Sequence, residues 1–76
     1  MTTYVYYVAE GRQDLGTFAA EALARSTSKL GQAPTAGLCH AEDLAELQRA
    51  APAVRLEASR YVQRRGLMLA AGRDGA

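Results

Sequence analysis

Cys39 and His40 stand side by side, and a thiolate activated by an imidazole is a working nucleophile. Adjacent positions serve that chemistry badly, because neighbouring side chains leave a strand on opposite faces and diverge by about 100° around a helix. The chain holds one cysteine and one histidine, so there is no second imidazole to act as base. Cys39 therefore reads as a small buried hydrophobe, and a single cysteine rules out an intramolecular disulfide. Metal binding fails on number. Zinc sites want about three or four Cys, His or carboxylate ligands, and Cys39, His40, Glu42 and Asp43 are the sole local candidates. Gly11, Gly16, Gly31 and Gly37 form neither a P-loop nor a dinucleotide fingerprint. The expectation is a protein that is not an enzyme, with no metal and no cofactor.

Recognition chemistry is better represented. Tyr and Arg are favoured anchors at interfaces, and the chain concentrates both. Tyrosines stand at positions 4, 6 and 7, and Arg55, Arg60, Arg64 and Arg65 fall within eleven residues that hold one acid, Glu57. Residues 41 to 47 show the opposite bias, with Glu42, Asp43 and Glu46 and no base. The net charge is only +1, so local polarity, and no global field, would guide a partner. Tyr4, Tyr6, Arg60, Arg64 and Arg65 are the expected partner-binding residues. Nucleic acid would be met through Arg55, Arg60, Arg64 and Arg65, which are few beside the 6 to 10 phosphate contacts of strongly salt-dependent binders. The plain alternative for any such cluster is a solvated face.

These residues must be positioned by a short run of elements. Thr2 to Ala9 is aromatic and β-branched and ends at Glu10-Gly11, which predicts a strand. Alternation sets Tyr4, Tyr6 and Val8 on one face and Val5, Tyr7 and Ala9 on the other. Such a strand is either covered on both sides or keeps one face for a partner, and tyrosines packed in the core with their hydroxyls at the rim are the simpler reading. Glu10 to Gly16 reads as a turn, with Leu15 to Phe18 as a candidate short strand. Thr17 to Leu30 has helical spacing, with Ala19, Leu23, Ser26 and Leu30 on one face. Thr17 or Asp14 can cap it, and Gly31 is the expected left-handed stop. Leu38-Cys39-His40 is either an edge strand or the lead-in to a second helix over Ala41 to Ala51. That helix would be anchored by Leu44 and Leu47, carry its acids at a solvated N-terminus and be closed by Pro52.

Val54 to Ala71 admits two readings. As a helix over Val54 to Arg65, the order helix, turn, helix, strand across residues 41–69 resembles that of a winged helix-turn-helix, a pattern covering under half the chain. Arg65 then falls inside the apolar face, and Leu56 outside it. As strands, Val54, Leu56 and Ala58 alternate with Arg55, Glu57 and Ser59. Arg64-Arg65-Gly66 becomes a hairpin loop with Gly66 at its left-handed position, Tyr61 opposite Leu69 and Gln63 opposite Leu67. Alternation accommodates more residues, so the hairpin is preferred, with Tyr61 facing the core.

Seventy-six residues make one small domain, and a chain this short buries only about 60% of its unfolded surface. Sixteen residues are Ala, which thins the core further and makes a homodimer or a bound partner an expected source of stability. The expected fold is α+β: two helices on a three-stranded, mainly antiparallel sheet, in the order strand, helix, helix, strand, strand. Residues 1–72 would form the domain and 73–76 a flexible tail. No apolar run suits a signal peptide or membrane span, so the expected location is the cytoplasm. The expected function is non-covalent, that of a regulatory, adaptor or inhibitory protein of bacterial or phage accessory type acting on a protein partner. A DNA- or RNA-binding regulator is the alternative.

Overall fold

Residues 3–71 are described by a computed structural model. Its elements are β1 (Tyr4–Val8), α1 (Leu15–Leu30), β2 (Ala36–Cys39), a 3-10 turn (Ala41–Asp43), α2 (Leu44–Ala50), β3 (Arg55–Ala58) and β4 (Gly66–Ala70). Gly72 and the tail expected at 73–76 lie outside the described residues.

Local sequence dictates most of these boundaries. Asp14 starts α1 by accepting a hydrogen bond from the Thr17 N–H at 3.0 Å, which satisfies one of the first-turn donors. Leu15 to Phe18 is accordingly the first helical turn, and the short strand considered there does not form. Gly31 closes the helix at φ 80°, with its N–H on the Thr27 carbonyl, a conformation that costs glycine little. The buried stripe is Leu15, Phe18, Ala19, Ala22 and Ser26. Ser26, fully buried, satisfies its hydroxyl on the Leu23 carbonyl at 3.0 Å. At the second helix His40 acts as cap, its Nδ1 accepting from the Glu42 N–H at 3.0 Å.

The sheet departs from expectation. It has four strands in the order β1-β4-β2-β3 and is mixed: β4 pairs antiparallel with β1 and β2, while β2 and β3 are parallel. Leu38 and Cys39 belong to an inner strand, neither an edge strand nor a helix lead-in. Residues 55–58 are a strand, so the winged helix-turn-helix order is not adopted. The hairpin does not form either, since β2 lies between β3 and β4. Two physical reasons stand behind this. A strand that returns through a helix arrives parallel to the one it left, and α2 is such a connection between β2 and β3. The run Gly66–Ala70, apolar on both faces, suits an interior position, whereas Arg55 and Glu57 suit an edge.

Both helices cover one face of the sheet. The core there gathers Leu15, Phe18, Ala19, Ala22, Cys39, Leu47, Val54, Leu56, Leu67 and Leu69. Gly37 is required in it, because a Cβ at that position would lie 2.5 Å from the Met68 carbonyl oxygen and 2.9 Å from Leu56 Cδ2. Val62 is buried, while Tyr61, expected to face the core, is 89% exposed in the loop before β4. Among the described residues, no helix is long and apolar enough to cross a membrane.

Candidate interaction surface

Among the described residues, none forms a covering layer on the second face of the sheet. Strand register assembles it row by row: Tyr4, Ala70, Ala36 and Arg55 form one row, and Tyr6, Met68, Leu38 and Glu57 the next. Val8 beside Gly66 begins a third. Tyr4, Tyr6 and Val8 are exposed at 45%, 46% and 41%, and Ala36, Leu38 and Met68 are half-buried between them and the charged rim. Val5 and Tyr7, alternate residues of β1, turn to the core instead. A one-sided sheet is common in antiparallel folds, but its solvated side is ordinarily polar. Here the polar residues are confined to β3.

Tyr6 shapes this surface. A Cβ on Gly66 would lie 2.8 Å from the Tyr6 hydroxyl and 3.2 Å from Cε1, so the tyrosine ring lies diagonally across the glycine and holds a flat aromatic plate on the sheet.

The arginines expected to bind a partner lie elsewhere and are largely engaged within the chain. Asp43, 1% exposed, accepts from Arg64 Nε at 3.0 Å and from the Arg65 backbone N–H at 2.6 Å. Arg64 also pairs with Glu42 at 3.0 Å. The Arg65 guanidinium donates to the Gln13 carbonyl, and Arg65, not Gly66, takes the left-handed conformation, at φ 65°. The acidic start of α2 is thus no simple solvated face: Asp43 is the buried anchor of the loop that leads into β4. Burial pushes the Asp43 carboxyl up, but the Arg65 amide, the Arg64 hydrogen bond and charge and the His40 charge outweigh it, leaving the pKa below its ordinary value. Arg60 and Tyr61 are exposed on the loop before β4.

Cys39 points into the core. Burial, and then the Asp43 charge, push its thiol up, so the thiolate that nucleophilic chemistry needs is disfavoured. Among the described residues no group of three or more His, Cys, Asp or Glu side chains is placed to hold a metal.

One cleft of about 310 Å³ runs between β1 and α1, bordered by Tyr7, Val8, Gln13, Phe18, Glu21 and Arg25. Tyr7 has a buried hydroxyl that finds no hydrogen-bond partner among the described residues.

Of this surface, Tyr4 and Tyr6 were recognisable from strand alternation. Alternation also set Val8 on that face; Leu38, Met68 and Glu57, and the place of Arg55 beside them, were missed, because their shared face depends on strand order. Fold and surface define an α+β domain whose sheet is covered by helices on one face and is aromatic at the β1 edge of the other. Comparison with known protein families, with curated proteins and with solved structures returns no match for this chain.

Proposed function

We propose that this chain is a non-enzymatic interaction protein, an adaptor, regulator or inhibitor, that docks a protein partner on its open sheet face. One observation carries the reading: both helices lie on the same side of the sheet, leaving Tyr4, Tyr6, Val8, Leu38 and Met68 as a continuous apolar and aromatic patch. Such a patch, rimmed by charge, is the usual form of a protein-binding surface. Arg55 and Glu57 supply opposite charges at the rim, which favours a mixed-charge protein surface over a polyanion. The two tyrosines would be the energetic anchors.

The test is affinity capture from lysate of the source organism after nuclease treatment, with the chain and with a Tyr4→Ser/Tyr6→Ser variant. A protein retained by the parent and lost by the folded variant supports the reading. Equal retention by both sinks it.

A second reading rests on the spacing of Tyr4 and Tyr6, two exposed rings on one sheet face in the manner of base-stacking platforms, with Arg55 in the Tyr4 row. Capture that depends on intact nucleic acid, and a gel shift at low salt lost in the same variant, would favour it over a protein partner.

A further inference from the structure

The sheet has two edges, and they are treated differently. At β3 the side chain of Gln48 closes the edge: its Oε1 accepts from the Leu56 N–H at 3.0 Å, and its Nε2 donates to the Val54 carbonyl at 2.7 Å and to the Ala51 carbonyl at 3.0 Å. A strand edge blunted in this way resists pairing with another chain. At β1 no described residue supplies such a cover.

The orientation of the β1 backbone follows from one bond. The Ala9 N–H donates to the Arg65 carbonyl at 2.9 Å, one step beyond the Val8–Gly66 pair of the β1–β4 register. Antiparallel ladders alternate between bonded and non-bonded pairs, so Val5 and Tyr7 spend their N–H and C=O groups on β4. Those of Tyr4, Tyr6 and Val8 point away from the sheet, and no residue among those described meets them. The strand itself, Tyr-Val-Tyr-Tyr-Val, carries no charged residue and no proline, the residues that ordinarily protect an edge.

We propose that β1 is a homodimer interface, pairing antiparallel with β1 of a second copy about a two-fold axis at Tyr6. In that register Tyr6 faces Tyr6 of the second copy, and Tyr4 faces Val8. All three outward N–H groups and all three carbonyls are then used, in both copies. The contact is isologous and closes on itself, making one eight-stranded sheet.

Charge on the flanking helix fits the same axis. Glu21 and Arg25, one turn apart on α1, border the cleft that runs beside β1. Strands pair about 4.8 Å apart, which brings the two α1 helices alongside each other. A two-fold reverses the helix direction with the strand direction, so Glu21 of one copy lies toward Arg25 of the other. The cleft becomes part of the interface, and the open faces of the two sheets join into one surface twice as wide. A small chain with a thin, alanine-rich core gains most from such burial. This inference concerns the strand edge and stands independently of what the open face binds.

Sedimentation equilibrium and amide exchange test it together. The parent chain should form a dimer at micromolar concentrations, with the Tyr4, Tyr6 and Val8 amides protected only where the dimer is populated. Tyr6→Pro removes an outward N–H and no bond of the β1–β4 ladder, a position where an edge strand tolerates proline, and should yield a folded monomer. Glu21→Arg should weaken the dimer roughly tenfold, and Glu21→Arg with Arg25→Glu should restore it. A parent chain that stays monomeric up to about 1 mM overturns the proposal. So does a dimer that survives Tyr6→Pro, or one in which those three amides exchange freely.

Discussion

Arg65 donates its backbone N–H to the buried carboxylate of Asp43 at 2.6 Å, across twenty-two residues of sequence. The bond joins the start of α2 to the turn that feeds β4, the strand at the heart of the sheet. It turns an acidic residue of a helix start into a structural anchor, which also accepts from Arg64 Nε at 3.0 Å.

Asp43 should therefore carry much of the acid sensitivity of the fold. Asp43→Ala leaves a buried amide without an acceptor, a change worth about 1–3 kcal/mol. The folded pKa lies below the ordinary carboxylate value, so the unfolded chain takes up the proton first. The stabilisation is complete above about pH 4 and is lost as pH falls through the folded pKa. Urea unfolding at pH 7, 4 and 3 should show this loss, and Asp43→Asn should flatten it. Arg64→Ala should cost less than either change, since the Arg65 amide keeps its acceptor.

Cys39 should resist alkylation in the folded chain at neutral pH. Its side chain is fully buried and its thiol is pushed up by burial and by Asp43. Labelling with iodoacetamide should follow the unfolding curve in urea, and rapid labelling of the native chain would contradict the placement of β2.

Gln48 replaces a neighbouring strand at the β3 edge. Gln48→Ala removes three hydrogen bonds and leaves the Leu56 amide and the Val54 carbonyl bare, at a cost of about 1–3 kcal/mol. Chemical denaturation should register that loss. Light scattering at high concentration should show association beyond the parent, because a second open edge permits chain growth.

Gly37→Ala should destabilise by about 1–3 kcal/mol or more, as overpacking of a close backbone contact does. The added methyl meets the Met68 carbonyl oxygen at 2.5 Å, an atom fixed by the sheet. A variant as stable as the parent in urea would show that β2 and β4 can move apart.

Several elements were legible because their signals are local. Asp14 and Gly31 bracket α1 through bonds to groups three or four residues away. Pro52 follows the end of α2, and the alternation of Tyr4 to Val8 assigned both faces of β1 correctly. Arg65 shows where local rules stop. Gly66 was the natural residue for a left-handed turn, yet Arg65 holds φ 65°, because Asp43 grips its amide and Gly66 is needed beneath the Tyr6 ring.

By itself, the sequence determined the two helices, the caps of the first and the two faces of the first strand. Tertiary structure alone decided that β4 lies between β1 and β2, that Asp43 is buried, and that Tyr4 and Tyr6 share an open face with Leu38 and Met68. The physical reason is the range of the forces involved. Caps, turns and periodicity act within a few residues of chain, whereas strand order is set by which apolar runs must leave water together and by how a helical connection directs the strand that follows it.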